Sequence, residues 1–179
     1  MKQLLGISGS LRRVSTNAAL LSAMAANTPN DISVEIYDGM GDLPIFNPDR
    51  EGELTPASVL DLAAKVRAAD GLIISCPEYA HGIPGGLKNL LDWLVSRDEI
   101  PFKPVMLLRA SSRNDISHAA LQEVLRTMSV ALMPETGISI HLLGKTPDDI
   151  GRILAAPDRR REMTASLEKF AAWIDAGGV

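Results

Sequence analysis

The sequence predicts an α/β protein in which helices cover both faces of a five-stranded parallel sheet. Short apolar runs of strand length alternate with longer segments of helical period, as in consecutive βαβ units. One run, Leu72-Ile73-Ile74, lacks polar alternation, which is typical of a strand buried on both faces. Because crossovers between parallel strands are right-handed, few topologies remain, and a doubly wound sheet of order 2-1-3-4-5 is expected.

Each element follows from its local pattern. The expected strands are Lys2–Ser8, Ile32–Tyr37, Gly71–Cys76, Pro104–Arg109 and, with a less regular pattern, Gly137–Leu142. The expected helices carry apolar residues at three- and four-residue spacing and are Asn17–Ala26, Pro56–Ala69, Leu87–Val95, Ile116–Ala131 and Arg159–Asp175. The segment Asp38–Asp49 is dense in Gly, Pro, Asn and Asp, which predicts an irregular loop.

Length and composition narrow the class of protein. The 179 residues, 46% of them hydrophobic, fit a single domain spanning residues 1–179. A net charge of −4 argues against a general nucleic-acid binder. No apolar run approaches the roughly 20 residues that span a bilayer. The first residues are unlike a secretory signal peptide, so a cytoplasmic location is expected.

Cysteine and histidine are too sparse to predict a metal site. Cys76 is the single cysteine, and His81, His118 and His141 show no ligand spacing. We expect Cys76, at a strand end, to be a small buried residue and not a nucleophile. No role is assigned to His118 or His141.

The loop after the first strand, Gly9–Asn17, is the first candidate for a ligand site. In a doubly wound sheet the ligand lies beyond the carboxyl ends of the strands, where the winding direction reverses. This loop offers three hydroxyls, one amide and two guanidinium groups at a helix start. Backbone N–H groups at a helix N-terminus favour an anion, and a terminal phosphate fits best. The alternative is that Ser15 or Thr16 only caps the helix while the arginines face solvent.

Three other kinds of ligand loop are excluded by the residues present. No GxxxxGK[ST] motif places a lysine near a β/γ-phosphate, and no GxGxxG motif holds a dinucleotide pyrophosphate. Gly6–Ser10 is similar to a nucleophile elbow, but Ser10 stands where that motif has its closing glycine.

The loop after the third strand, Cys76–Asn89, is rich in proline and glycine. These residues fix the path of the backbone and leave its N–H groups accessible to a flat ligand. Tyr79, one of two tyrosines in the chain, lies in this loop. The alternative is a turn in which Pro84 and Gly85 start the next helix. In that case His81 is an ordinary exposed residue, although its titration range makes it an available proton donor.

The two loops together resemble the NADPH-dependent FMN reductases, a family of flavodoxin-like fold that includes chromate, quinone and azo-dye reductases. The first motif is Gly9–Asn17 (GSLRRVSTN). The second and longer one is Pro77–Tyr79 followed by Ile83–Asn89 (IPGGLKN) and Asp92–Trp93. A shorter third segment, Lys103–Ser112, is similar to the family's fourth strand and the loop after it. The resemblance covers most of the chain and implies a flavodoxin-like three-layer sandwich.

The resemblance also implies FMN as cofactor, NADPH or NADH as co-substrate, and a set of binding residues. Those implied for the FMN phosphate are Ser10, Arg12, Ser15, Thr16 and Asn17. Those implied for the flavin ring are Pro77, Glu78, Tyr79, Ala80, His81 and Gly82 on one side, and Ser111 and Ser112 on the other. No catalytic side chain is expected, because the cofactor carries the electrons.

The chain departs from the family pattern in two places. Ala80 and Gly82 stand where many relatives have Asn and Ser, which removes two polar side chains near the ring. The segment Arg113-Asn114-Asp115 stands where relatives often have glycines. Because backbone groups are expected to make the flavin contacts, these changes are expected to alter substrate preference more than FMN binding.

The resemblance implies a ping-pong reductase. We expect the nicotinamide to give hydride to flavin N5, NADP⁺ to leave, and an acceptor to take its place. The acceptor is expected to be a quinone, chromate, an azo compound or free flavin. Backbone N–H groups would stabilise the charge of the reduced ring. The sequence does not choose among the candidates for a 2′-phosphate contact, which are Arg12, Arg13, Arg97 and Arg113.

Two other classes of function fit the residues less well. A non-enzymatic FMN electron carrier is expected to be strongly acidic for docking, and a net charge of −4 argues against it. A flavin-sensing interaction protein belongs to the same class. A nucleotide-phosphate hydrolase would need an aspartate or cysteine nucleophile at a strand end, and Cys76 followed by Pro77 is a poor candidate.

The segment Leu87–Leu94 carries more apolar residues than one buried face needs. Self-association as a homodimer or homotetramer, which the resemblance also implies, would use them. The alternative is ordinary core packing. A small-molecule acceptor is the other expected partner.

Overall fold

The computed structural model describes residues 1–135 and 137–178. Its strands are β1 (Lys2–Ser8), β2 (Ile32–Tyr37), β3 (Gly71–Ser75), β4 (Pro104–Arg109), β5 (Ala131–Leu132) and β6 (Ile138–Ser139). Its α-helices are α1 (Thr16–Ala26), α2 (Ala57–Ala68), α3 (Gly85–Leu94), α4 (Asp115–Thr127), α5 (Pro147–Ala155) and α6 (Pro157–Asp175). None of the helices within these ranges is long and apolar enough to cross a membrane.

The sheet is parallel and has the order β2-β1-β3-β4-β5, with β6 also paired to β4. In its centre, Leu5 lies opposite Glu35 of β2 and opposite Leu72 of β3, while Ile74 lies opposite Leu107 of β4. The predicted order 2-1-3-4-5 is confirmed.

The sheet edge beyond β4 differs from the prediction. Instead of one strand over Gly137–Leu142, β5 pairs with the start of β4 and β6 pairs with its end. Pro134, which has no N–H to donate to a ladder, lies between the two, and Thr136 is outside the described residues. The backbone nitrogens of Ile140 and Leu142 still donate to the carbonyls of Arg109, at the end of β4, and of Ala110, just after it, at 2.8 and 3.0 Å.

Helix α4 ends at Thr127, short of the predicted end at Ala131. Ser129 has a φ of 58°, a left-handed conformation that does not continue a helix, and Ala131 then joins β5. Met128 and Val130 extend the apolar pattern because they pack in the same core, not because they are helical. The sequence pattern therefore overstated the length of this helix.

Helix α5 was not predicted. The Thr146 hydroxyl caps it by accepting from the Asp149 nitrogen at 3.2 Å, and Pro147 occupies the first turn. This Thr-Pro start is visible in the sequence and is a typical helix N-terminus. The apolar residues of this helix, Ile150, Ile153 and Leu154, have helical spacing but cover less than two turns, so they form a short sequence signal.

The strands separate two hydrophobic cores. Leu5 and Ile74 pack in one core with helices α2, α3 and α4, while Leu4, Ile73 and Met106 pack in the other with α1, α5 and α6. Because successive side chains of a strand point to opposite faces, helices cover both sides of the sheet. The predicted flavodoxin-like three-layer sandwich is confirmed.

The segment predicted as an irregular loop, Asp38–Asp49, contains the 3₁₀ turn Gly39–Asp42 and the start of a second one, Pro48–Arg50, and a third, Gly52–Leu54, follows it. Helix α3 anchors this segment through two side chains. Asn89 donates from Nδ2 to the Pro44 carbonyl at 3.0 Å and accepts from the Phe46 nitrogen at 2.8 Å. Trp93 donates from Nε1 to the same Pro44 carbonyl at 2.7 Å.

The carboxyl ends of β1, β3 and β4 lie at the same edge of the sheet, because the strands are parallel. The last residues of these three strands are Ser8, Ser75 and Arg109. The predicted site loops follow them, so the fold brings distant segments of the sequence to one place.

Candidate functional site

A cleft of about 120 Å³ opens at this edge of the sheet. Its walls come from the loop after β1 and the start of α1, the loop after β3, the loop after β4, and one residue beyond β6. The lining residues are Ser10, Arg12, Ser15, Thr16, Asn17, Cys76, Pro77, Glu78, Tyr79, Ser111, Arg113, Asn114 and Leu143.

Most of the residues predicted for the site line this one cleft. Those that line it are Ser10, Arg12, Ser15, Thr16, Asn17, Pro77, Glu78, Tyr79 and Ser111. Those that do not are Ala80, His81, Gly82 and Ser112. The cleft also contains Cys76, Asn114 and Leu143, which were not predicted as binding residues, and Arg113, which was predicted only as one of four candidates for a 2′-phosphate contact.

The wall formed by the β1 loop presents hydroxyl groups at a helix start. Ser15 is the N-cap of α1, and its Oγ accepts from the Ala18 nitrogen at 3.2 Å. A hydroxyl that accepts at a cap still has its own proton to donate, so capping and ligand binding are compatible. Ser10 Oγ lies 3.3 Å from Tyr79 Oη and so links this wall to the β3 loop.

Asn17 is buried in the first turn of α1 and is oriented by β3. The Ser75 hydroxyl donates to Asn17 Oδ1 at 2.8 Å, and both side chains are buried. This bond occupies the amide oxygen, which leaves the Nδ2 donor for a ligand in the cleft.

Gly9 permits the close approach of the β1 and β3 loops. Its nitrogen donates to the Ser75 carbonyl at 2.8 Å. A Cβ added at Gly9 would come within 2.9 Å of a Leu87 methyl group and 3.1 Å of Pro77 Cδ. A larger residue would have to displace the Leu87 and Pro77 side chains, so the packing here favours glycine.

The rim of the cleft carries a tight turn over Tyr79–Gly82. The Tyr79 and Gly82 backbones exchange hydrogen bonds of 3.2 and 3.0 Å, and the two central residues, Ala80 and His81, have φ values of 50° and 56°. Positive φ at both central positions defines a type I′ turn, which strongly prefers Asn and Gly. Residues with a Cβ are therefore strained here.

Glu78 joins the β3 loop to helix α4. Its Oε2 accepts from the Ser117 nitrogen in the first turn of α4 at 2.9 Å, and its Oε1 lies 3.2 Å from His81 Nδ1. Asn114, the N-cap of α4, makes no side-chain capping bond. Glu78 therefore supplies from another loop the acceptor that a capping residue usually provides.

Asn114 makes a second connection between the same two loops. It is 3% exposed, and its Nδ2 donates to the Cys76 carbonyl at 3.1 Å. Arg109 donates from Nε to Asn114 Oδ1 at 3.0 Å. The only sequence signal for Asn114 was its place among residues that depart from a glycine-rich family segment.

Comparison with known proteins decides the family. The sequence profile described as NADPH-dependent FMN reductase matches residues 2–142. This chain belongs to that family. The resemblance deduced from the loop motifs is thereby confirmed.

Relatives of the FMN reductase family match over most of their length. A quinone reductase of Escherichia coli K12 is 37% identical over 133 residues, which are 73% of this chain and 70% of that protein. An NAD(P)H-dependent FMN reductase of Pseudomonas aeruginosa is 33% identical over 178 residues, which are 96% of this chain and 95% of that protein. The chain is accordingly an oxidoreductase that uses FMN and NAD(P)H.

Solved structures agree on the fold. The flavoenzyme NAD(P)H:(acceptor) oxidoreductase FerB of Paracoccus denitrificans superposes with a TM-score of 0.79, at 24% identity and with full coverage of both chains. At this identity, the similarity shows a shared fold.

The cleft of this FMN reductase fits the chemistry of its cofactor. The β1 loop and the start of α1 gather hydroxyl, amide and guanidinium donors, as a phosphate monoester requires. The β3 loop contributes backbone, Pro77 and Tyr79, which suit the flat face of a ring. The two kinds of surface lie in one cleft, so a single molecule with a phosphate and a planar ring can contact both.

Cys76 lines the cleft but is not a reactive thiol. Burial, with a contribution from the Glu78 carboxylate, raises the pKa of the Cys76 thiol to about 12. The thiol is therefore neutral at physiological pH, as expected for a small buried residue.

His141 was assigned no role from the sequence, yet it contacts a predicted site residue. Ser112 donates from its backbone nitrogen to His141 Nδ1 at 3.3 Å, and the Ser112 Oγ lies 3.1 Å from the same atom. Because a backbone N–H can only donate, Nδ1 of His141 is the acceptor of this hydrogen bond. No sequence spacing links residues 112 and 141, so only the fold reveals this pair.

Proposed function

We propose that this FMN reductase takes hydride from NADPH or NADH and delivers electrons to a quinone, by a ping-pong mechanism at one site. The observation that carries the proposal is the meeting of the β1, β3 and β4 loops around a single cleft. Chromate, azo compounds and free flavin are further acceptors to be tested.

The phosphate of FMN is assigned to the wall of the β1 loop. Ser10, Arg12, Ser15, Thr16 and Asn17 are proposed to bind it through hydroxyl, guanidinium and amide donors. The fixed orientation of two of these side chains supports the assignment, because Ser15 is bonded to the first turn of α1 and Asn17 is bonded to Ser75. Preorganised donors lose less entropy on binding.

The flavin ring is assigned to the part of the cleft beside the β3 and β4 loops and to the adjoining rim. Its proposed contacts are Pro77, Glu78, Tyr79 and Ser111, which line the cleft, and Ala80, His81, Gly82 and Ser112, which do not line it but follow these residues in the same loops. The tight turn supports backbone recognition, because within the described residues the N–H groups of Ala80 and His81 make no hydrogen bond. Such N–H groups can stabilise negative charge on a ring.

Bound FMN supplies the redox chemistry, by accepting hydride from NAD(P)H and passing electrons to the acceptor. The residues of the chain hold and orient the molecules. No side chain needs to act as nucleophile, and the neutral Cys76 thiol is unsuited to that role. The reductant and the acceptor are proposed to occupy the space beside the ring in turn.

The names of relatives support a quinone as the acceptor. The Escherichia coli relative is named a quinone reductase, and a Burkholderia relative, 31% identical over 172 residues, is named a 2-hydroxy-1,4-benzoquinone reductase. We therefore place quinones first among the acceptors.

A homodimer or homotetramer is also proposed, from the family resemblance, and a cytoplasmic location is proposed as well. The apolar residues of α3 do not add support. Leu87, Leu90, Leu91, Trp93 and Leu94 are all buried in the core of the chain itself. Light scattering coupled to gel filtration measures the assembly directly.

The decisive experiment is a visible spectrum of the protein after FMN is added and the excess removed, followed by anaerobic titration with NADPH. Retained flavin absorbance that bleaches, and parallel double-reciprocal plots with a quinone, are expected. Retained flavin that neither NADPH nor NADH bleaches would favour a carrier or sensor. Loss of all flavin would overturn the assignment of the loops.

Variants of the β1-loop wall, to which the FMN phosphate is assigned, make this test more specific. Arg12→Gln removes the positive charge and the paired guanidinium donors, and Asn17→Asp adds a negative charge while it keeps an acceptor for Ser75. Each is expected to weaken FMN binding by about tenfold or more, because charge-assisted hydrogen bonds contribute strongly. Riboflavin, which has no phosphate, should bind the variants and the parent alike. Equal losses for both flavins would place the phosphate elsewhere.

A further inference from the structure

The structure separates the arginines that the sequence left equivalent as anion contacts. Arg97 contacts Glu99, with Nε 3.1 Å from Oε2, and lines a different pocket together with Thr55 and Trp93. Arg13 is exposed and does not line the cleft. Arg12 and Arg113 remain, and they stand on different walls of the cleft.

Arg113 is a cationic group without a carboxylate partner. Within residues 1–135 and 137–178, its side chain makes no ion pair or hydrogen bond, and it is exposed beside Leu143. Other arginines of the chain are neutralised by carboxylates, namely Arg67, Arg97, Arg109, Arg126, Arg152, Arg159 and Arg161.

The backbone that carries Arg113 is held on both sides. Its own nitrogen donates to Ser111 Oγ at 3.0 Å. The next residue, Asn114, is bonded to the Cys76 carbonyl and to Arg109. The chain thus positions the Cα of Arg113 at the cleft while its guanidinium stays available to a ligand.

The other charges of the cleft do not satisfy this guanidinium. Glu78 is the only acidic residue among those that line the described cleft, and it already accepts from Ser117 and contacts His81. Arg12 is on the opposite wall with the hydroxyl groups assigned to the FMN phosphate. The chain as a whole is negative, at −4, so a positive group at this opening is a local feature.

We propose that Arg113 binds an anionic group of the second ligand, the molecule that exchanges electrons with the bound flavin. This inference rests on the proposed FMN site. The chemistry is a guanidinium paired with an oxyanion, which Arg forms through two parallel hydrogen bonds. Two molecules can bring such an oxyanion: NADPH through its 2′-phosphate, or a quinone through an ionised hydroxyl.

The test compares Arg113→Gln with the parent holoenzyme on two matched pairs of ligands. The first pair is NADPH and NADH, with 1,4-naphthoquinone as acceptor. The second is 2-hydroxy-1,4-naphthoquinone, which is anionic at neutral pH, and neutral 1,4-naphthoquinone, with NADH as reductant. KM is expected to rise about tenfold or more for the anionic member of one pair and by much less for its neutral partner. The pair that responds identifies the source of the anion.

Two further variants separate charge from structure. Arg113→Lys keeps the charge but loses the paired donors, and it should restore part of the lost affinity. Arg50→Gln removes the same charge from another exposed arginine that lies outside the cleft. It should leave the KM values of all four ligands unchanged. Added salt should raise the KM of the anionic ligand more in the parent than in Arg113→Gln, because salt screens exposed charges.

Each outcome is decisive. If Arg113→Gln changes the anionic and neutral members of both pairs equally, or changes neither, Arg113 does not bind an anion. The spectrum of each variant is recorded first. Loss of flavin from the parent would contradict the proposed function itself, whereas retained, reducible flavin with no discrimination would overturn this inference alone.

Discussion

The Asn114 side chain donates to the Cys76 carbonyl oxygen at 3.1 Å and thereby ties the start of α4 to the end of β3. Asn114 is buried and also accepts from Arg109. A single amide thus satisfies groups from two strand ends at the cleft. Side-chain hydrogen bonds from one loop to the next therefore hold the loops of the site together.

Asn114→Ala should therefore lower both stability and FMN affinity. It leaves the buried Cys76 carbonyl without its donor, and the expected loss in the free energy of unfolding is about 2 kcal/mol. Urea denaturation and FMN titration measure the two effects. Asn27→Ala is the matched control, because Asn27 also donates an amide to a carbonyl, that of Ala23 at 2.7 Å, but does not line the cleft. Equal FMN affinity of the two variants would contradict a role for Asn114 in the site.

The bond from Glu78 to α4 predicts a graded response to substitution. Glu78→Gln keeps an acceptor for the Ser117 nitrogen but loses the negative charge at the helix N-terminus. It should lower the free energy of unfolding by about 0.5 kcal/mol. Glu78→Ala loses the acceptor as well and should cost about 1 to 2 kcal/mol. Chemical denaturation of the two variants in parallel measures the difference. Identical losses would show that Glu78 does not cap α4.

The turn over Tyr79–Gly82 predicts a stabilising substitution. Asn tolerates the left-handed conformation better than Ala, so Ala80→Asn should raise the free energy of unfolding by about 0.5 to 1 kcal/mol. Ala80→Val should lower the free energy of unfolding by about 1 kcal/mol or more, because a β-branched residue is least tolerant of positive φ. Thermal unfolding followed by circular dichroism tests both. A destabilised Ala80→Asn variant would mean that the turn has another conformation.

The buried thiol predicts a loss of stability at alkaline pH. The pKa of Cys76 is raised from 9.0 to about 12, so above pH 9 the unfolded chain releases a proton that the folded chain keeps. This contribution is fully present below pH 9 and falls as pH rises towards 12. Between pH 9 and 10 the expected loss is about 1 kcal/mol.

Cys76→Ala removes this thiol and should flatten that part of the pH profile. Tyr37, whose pKa burial raises from 10.0 to about 12, contributes a similar loss only from pH 10 upward. The comparison is the urea midpoint of parent and variant at pH 8, 9 and 10. Parallel profiles would show that the thiol ionises in the folded protein as it does in the unfolded chain.

The regular elements near the centre of the sheet could be predicted because their signals are local. The apolar run of β3, for example, needs no partner to be recognised, and its five residues are all buried as expected. The sheet edge could not be predicted. Whether Ala131 ends a helix or begins a strand depends on the left-handed Ser129 and on pairing with β4, and neither is encoded in apolar spacing.

The residues of the candidate site could likewise be predicted only in part. The hydroxyl-rich loop after β1 and the Pro-Gly loop after β3 are contiguous in sequence, and their residue types alone pointed to a phosphate and a planar ring. Asn114 and His141 escaped notice because their partners, Cys76 and Ser112, lie far away along the chain.

By itself, the sequence determined the order of the sheet, the family and the two loops that carry the cofactor motifs, since these depend on residue type and short-range spacing. Only the tertiary structure decided which two of the four candidate arginines line the cleft and which side chains join the loops. Those properties arise from contacts between distant segments and from burial, and both exist only once the parallel strands have brought their carboxyl ends together.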